Sequence, residues 1–182
     1  MARLIIAMCT FIIMPTLAYS GLCQKNTGQC FQNIIISASA PSSVFLAAQE
    51  LKKYAKLVCN AELAIIFDNS DIPNTTNIYL GSNASTLGIN EVSTDNLSPD
   101  GFQIITMPDK LIIIGRDYQG EPIVGIRNPF RLQEVWNQKI GIGAFGEAGT
   151  LYGVYYFIEK YLGVRWYMPG ELGEVIPENK TL

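Results

Sequence analysis

The stretch GTLYGVYYFIEKYLGVRWYMPGELGEVIP, residues 149–177, decides the reading of this chain. Leu151, Val154, Tyr155, Ile158 and Leu162 recur at the spacing of one helix face. Thr150 is a candidate cap for that helix. Gly163 is a candidate stop, because glycine takes the left-handed conformation that ends a helix without a Cβ clash. Gly153 lacks a side chain in mid-helix, which predicts close packing at that point. Val164–Tyr167 then reads as a short strand, and Pro169-Gly170 as a turn. Trp166 can stack on the apolar face of a sugar ring, and Arg165 can hold a carboxylate through two parallel hydrogen bonds. The structural alternative is a core Trp166 beside a solvated Arg165. Alternation along a strand puts the two side chains on opposite faces.

Outward from this stretch the chain supplies strands and one more helix. Asn33–Ser37, Ala64–Phe67 and Asn77–Gly81 are short β-branched runs bounded by Pro, Ser, Asn and Asp, the signature of strands. Val44, Ala47, Ala48, Leu51, Ala55 and Val58 recur at helical spacing, and Ser42 or Ser43 can cap that helix. Gln49, Lys52, Lys53 and Lys56 fill its other, solvated side. Gly101–Thr106 and Leu111–Gly115 form a predicted hairpin. Its turn is Met107-Pro108-Asp109-Lys110, where Pro108 presets φ and Asp109 favours the bend. Ser82–Pro99 reads as irregular, and Arg116–Ala148 as a long loop rich in Gly and Pro. The order is β-α-β-β-β-β-α-β. Two amphipathic helices against five or six strands predict an α+β two-layer sandwich, with both helices on one face of a mixed sheet.

The chain has 182 residues, a formal net charge of −3, 48% hydrophobic residues and no histidine. That length suits one domain with a sizeable core. The acidic balance leaves no basic footprint for nucleic acid. Without histidine, Ser-His-Asp and Cys-His nucleophile systems and HExxH zinc sites are excluded.

The N-terminus reads as a leader. Arg3 precedes an uncharged run, Leu4–Ala18, broken by Pro15. The run is shorter than the ~20 residues a membrane span needs. Ala18-Tyr19-Ser20 places small residues at the −3 and −1 positions of a cleavage site. The expectation is a cleaved signal peptide, a secreted or periplasmic product and no membrane attachment afterwards. Of the four cysteines, Cys9 falls in the leader. Cys23 and Cys30 flank a polar stretch that can turn back on itself, so they are the candidate disulfide. Cys59 ends a helical pattern and reads as a small, reduced, apolar residue.

Several motifs carry little. Gly141-Ile-Gly143-Ala-Phe-Gly146 matches G-x-G-x-x-G, but Trp136–Ile140 is a poor strand and no βαβ unit follows, so no dinucleotide site is expected. No CxxC occurs, and no cofactor or metal is expected. The carboxylates Asp68, Asp71, Asp95, Asp100, Asp109, Asp117, Glu134, Glu147, Glu159, Glu171 and Glu174 are scattered. Retaining glycosidases need a pair ~5–5.5 Å apart, and sequence places no pair. Sequons begin at Asn74, Asn83, Asn96 and Asn179.

The opening stretch resembles the N-terminal domain of alpha-glucuronidases of glycoside hydrolase family 67 and related secreted proteins. The family pattern Gly-Thr-Leu-Tyr-Gly-Val-Tyr-x-Phe-Leu-Glu, then Gly-Val-Arg-Trp-Tyr-x-Pro-Gly-Glu-x-Gly, stands here as Gly149–Glu159 and Gly163–Gly173, with Ile158 in place of Leu. Ala47-Ala48-Gln49-Glu50-Leu51-Lys52-Lys53-Tyr54 resembles the family's Ala-Ala-x-Glu-Leu-x-x-Tyr. Ile78–Gly81 and Asp100-Gly101-Phe102 also fit.

The resemblance implies a domain like the second domain of beta-N-acetylhexosaminidases, placed before a (β/α)-barrel that supplies the catalytic acids. The implied division is a signal peptide at 1–20, an N-terminal segment at 21–32, the alpha-glucuronidase N-terminal-like domain at 33–177, and at 178–182 the start of a linker to a barrel. A barrel needs ~250 residues, so this chain is expected to have no catalytic residue and to hydrolyse nothing alone. The implied function is that of a non-catalytic accessory domain of a secreted glycoside hydrolase acting on plant or microbial polysaccharide, with the barrel in cis and carbohydrate as partners. The alternative is a stand-alone carbohydrate-binding or structural module. Arg165 and Trp166 are the residues implied to contact substrate or the domain interface.

Overall fold

The computed structural model describes residues 19–20, 22–24, 30–81, 93–119 and 146–177. The elements are β1 (Tyr19–Ser20), β2 (Cys23–Gln24), β3 (Asn33–Ile36), α1 (Ser42–Cys59), β4 (Ala64–Phe67), β5 (Asn77–Leu80), β6 (Phe102–Thr106), β7 (Lys110–Gly115), α2 (Gly149–Phe157), β8 (Arg165–Trp166) and β9 (Glu174–Val175). Strands β3 to β7 make one five-stranded sheet in the order β4-β3-β5-β7-β6. β3 pairs in parallel with both β4 and β5, and β5 with β7. Only β6–β7 within this sheet is antiparallel. Parallel neighbours need a crossover, and α1 supplies it between β3 and β4. The β6–β7 hairpin turns at Pro108-Asp109, with Met107 and Lys110 exchanging backbone hydrogen bonds across it.

Both helices lie on one face. α1 touches β3, β4 and β5, α2 touches β6 and β7, and the helices touch each other. The α+β two-layer sandwich is the observed architecture. The core under the helices joins Ile34, Ile36, Ile78, Leu80, Leu111 and Ile113 of the sheet to Val44, Ala47, Leu51, Val154, Phe157 and Ile158. A fully buried side chain of this kind contributes roughly 2 kcal/mol. Leu22 and Phe31, upstream of the sheet, are also buried in this core. On the opposite face Ile35, Tyr79, Ile112 and Ile114 are buried too, with Ile66, Ile72 and Ile105 packed against them. Apolar residues therefore line both faces of the central strands, as in sheets covered on both sides.

The structure departs from the sequence expectations at the helix ends and at the last strand. α1 has Pro41 at its N-cap and no side-chain cap from Ser42 or Ser43. α2 starts at Gly149, with Thr150 inside its first turn rather than before it. Its predicted last turn, Ile158–Leu162, is π-helical and stops at a left-handed Gly163. β8 does not extend the main sheet. It pairs antiparallel with β9 in a separate ribbon, because Met168–Gly173 turns the chain back on itself. The short β1–β2 pair carries no strand-length pattern that sequence could show.

Candidate functional site

The β8–β9 ribbon carries the residues singled out by sequence. Arg165 stands opposite Val175, and Trp166 opposite Glu174. Directly opposed residues of an antiparallel pair share a face. Trp166 and Glu174 therefore occupy one face, Arg165 and Val175 the other. Trp166 is 36% exposed. Its ring meets Tyr54 and Tyr155 edge-on, each centroid at 5.4 Å. Two such contacts contribute about 1–3 kcal/mol together and fix the indole.

A polar network surrounds the ring. Trp166 Nε1 donates to the Tyr54 hydroxyl at 3.3 Å, and Lys53 Nζ donates to the same oxygen at 3.3 Å. Tyr155 donates its hydroxyl to Glu50 Oε2 at 3.2 Å. Burial, then a hydrogen bond to Glu174, push the Tyr54 hydroxyl above its ordinary value. Burial also disfavours charge on Lys53. The Tyr54 hydrogen bond and the nearby Glu174 and Glu50 carboxylates outweigh it and hold the ammonium above its ordinary value. Burial, then the charge of Glu50, drive Tyr155 far upward, so it stays a phenol. Glu174 Oε1 is shut off from solvent and has no hydrogen-bond partner among the described residues.

Arg165 sits apart from the ring. Its Nη1 donates to the Glu159 carbonyl at 2.6 Å and to the Val164 carbonyl at 3.0 Å. The Glu159 carboxylate lies 3.7 Å away. A cation on the last carbonyls of a helix satisfies orphan acceptors and favours the dipole. Arg165 thus ties the ribbon to the end of the second helix.

Glu50, Tyr54 and Glu174 escaped the sequence reading as site residues. A signal existed for two of them. Glu50 and Tyr54 are four apart on α1 and so share a face, and both stand at fixed positions of the motif Ala47–Tyr54 resembles. Glu174 became legible only through the ribbon's register.

The carboxylates that converge elsewhere have structural partners. Asp117 Oδ1 accepts from the Thr150 N–H at 3.0 Å and Oδ2 from the Thr150 hydroxyl at 2.5 Å. Asp100 accepts from the Ala148 N–H at 2.8 Å, and Glu147 pairs with Arg116 at 2.8 Å. Asp117 and Asp100 satisfy amides at the start of α2, and Glu147 neutralises Arg116 beside them. No group of three or more His, Cys, Asp or Glu able to hold a metal occurs among the described residues. Cys30 is disulfide-bonded, and Cys59 is a free thiol, half-buried. The Cys23 side chain, Gly141-Ile-Gly143 and the Asn83 and Asn179 sequons lie outside the described residues, while Asn74 and Asn96 are exposed.

No protein-family model matches the sequence, and no curated protein matches it. Among solved structures the chain is similar to a family GH115 4-O-methyl-alpha-glucuronidase with specificity for decorated arabinogalactans. The TM-score is 0.42 at 15% identity, and the match covers 82% of this chain and 16% of that one. The chain therefore spans well under two thirds of that enzyme's length, and the enzyme belongs to a different glycoside hydrolase family from the one the 149–177 motif resembles.

Proposed function

We propose that this chain is a non-catalytic accessory domain of a secreted glycoside hydrolase, and that it holds polysaccharide through Trp166 while a (β/α)-barrel of the same protein supplies the catalytic acids. The carrying observation is the indole itself: partly exposed and buttressed edge-on by Tyr54 and Tyr155, with Glu50 bonded to the Tyr155 hydroxyl and Glu174 opposed to Trp166 in the ribbon. Fixed aromatic rings bordered by polar groups bind sugars by stacking plus hydrogen bonds to hydroxyls. The resemblance of residues 149–177 to the N-terminal domain of alpha-glucuronidases supports the same reading. Exposed apolar residues around the ribbon favour a domain contact in cis over a stand-alone module. Tyr167 is 76% exposed and Leu172 95% exposed, with Met168 and Val175 beside them. Clustered exposed apolar side chains of this kind mark contact surfaces.

Affinity electrophoresis through soluble plant and microbial polysaccharides tests the reading. The chain is expected to be retarded by at least one of them, and Trp166→Ala to migrate freely while keeping the wild-type circular dichroism spectrum. The chain alone is expected to leave aryl-glycosides and glucuronoxylan fragments intact. Unretarded migration in every polysaccharide, or hydrolysis abolished by an Asp or Glu substitution, would overturn it.

A further inference from the structure

We infer that the chain pairs with a second copy of itself through the outer edge of β6, joining two five-stranded sheets into one. Phe102–Thr106 is an end strand of the main sheet, bonded to β7 on one side only. Met107 and Lys110 exchange backbone bonds, and the Arg116 N–H donates to the Gly101 carbonyl. Bonded pairs alternate along an antiparallel ladder, so the backbone groups of Gln103 and Ile105 face β7. Phe102, Ile104 and Thr106 then direct N–H and C=O outward, and no described residue pairs with them. Sheet edges are ordinarily blocked by charge, proline or a bulge. This strand, Phe-Gln-Ile-Ile-Thr, holds no charge and no proline, and its register with β7 runs one-to-one.

A second copy fits this edge and not the other end of the sheet. Antiparallel pairing about a two-fold at Ile104 sets Phe102 against Thr106 and Ile104 against itself. Each opposed pair exchanges both backbone bonds, and every contact on one copy is repeated on the other. Asp100 falls opposite Pro108, and Asp109 opposite Pro99, so no like charges meet. On β4, the opposite end strand, pairing about Ile65 would set Glu62 against Asp68, which is destabilising. The Phe67 carbonyl there is also taken by the Ser70 N–H. The two-fold at Ile104 stands perpendicular to the sheet and keeps both α2 helices on one face. Tyr152 and Tyr156, one turn apart on α2, are 49% and 47% exposed, and the Tyr156 ring lies 5.6 Å from Phe102. In the pair these tyrosines flank the joined strands and supply the apolar area that a short edge lacks. Tyr155 points instead to Trp166 and Glu50, so pairing leaves the indole and the ribbon free.

Sedimentation velocity of the purified chain over a concentration series tests the inference. The mass is expected to rise from 20.1 kDa to twice that over about 1–100 μM, as for a small interface. Thr106→Pro removes one outward N–H and leaves the β7 ladder intact. Tyr156→Glu places like charges beside the two-fold. Both variants are expected to weaken pairing by about tenfold or more while keeping the wild-type circular dichroism spectrum. Leu172→Glu, on the ribbon, is expected to pair as the wild type does. The single-chain mass at every concentration overturns the inference. So does a dimer that survives Tyr156→Glu, the variant that decides alone should Thr106→Pro fold poorly. A dimer that only Leu172→Glu dissociates overturns it as well, because the ribbon would then be the contact.

Discussion

Asp117 is a buried carboxylate at the mouth of α2, 33 positions before the Thr150 amide that it caps. Burial lifts its pKa from 3.8 to about 6, against the pull of the Thr150 N–H and hydroxyl, with Asp100 and Glu147 adding to the rise. The folded chain thus holds this proton more tightly than the unfolded chain does. The stabilising contribution is complete below about pH 4 and is lost as pH rises through about 6, and it amounts to roughly 3 kcal/mol. Urea midpoints should therefore fall across that window in the wild type and stay flatter in Asp117→Asn. Parallel pH profiles would show that Asp117 does not titrate there. At this scale sequence was a partial guide. Thr150 reads as a cap because capping hydroxyls precede helices locally, yet its hydroxyl instead bridges the Gly115 N–H and the Asp117 carboxylate. Trp166 was legible as a residue that can stack on sugar, but Tyr54, which receives its N–H, lies 112 positions away. No local pattern carries a contact of that range.

At the scale of elements, α2 lies unusually close to the hairpin because glycines face each other across the contact. A Cβ on Gly115 would sit 2.1 Å from the Gly149 carbonyl carbon, and one on Gly149 would sit 2.3 Å from the Gly101 carbonyl oxygen. Farther along, a Cβ on Gly153 would lie 2.8 Å from Ile113 Cγ2. The first two obstacles are backbone, which cannot rotate away. Gly115→Ala should therefore cost about 3 kcal/mol by overpacking. Gly163→Ala meets only Pro177 at 3.5 Å, so its left-handed φ should cost about 1 kcal/mol. Thermal melts of the two variants check the order, and equal losses would refute the packing account. The close approach at Gly153 was readable, since a glycine within an apolar helix face signals a near neighbour. The strands, α1 and the Pro108-Asp109 turn were readable for similar local reasons. The π-helical turn was not, because its apolar spacing differs from that of an α-helix by a single residue. Nor was the β8–β9 ribbon, because two-residue strands have no period to detect.

At the scale of the whole molecule, the expected leader and the fold meet at one place. Tyr19–Ser20 pairs with Cys23–Gln24, and Leu22 is buried with the main core and accepts a backbone hydrogen bond from Phe31. Cleavage after Ser20 keeps Leu22 and its core contacts in the product. Intact-mass analysis of exported material is expected to show loss of residues 1–20, and retention of Met1 would refute the leader. The sandwich as a whole was legible because its helices and most of its strands announce themselves locally. Its buried second face was not anticipated, although the near-continuous isoleucines of β3 and β7 are the sign of it. The placement of Leu22 has a consequence in time rather than space. A peptidase acts on an extended segment, but once the core closes, Ser20 is paired with Cys23 and lies two residues from a side chain sealed in the interior. Were the chain cleaved after Ser20, processing and folding would compete for the same few residues, and the chain would have to reach its peptidase before the core closes around Leu22.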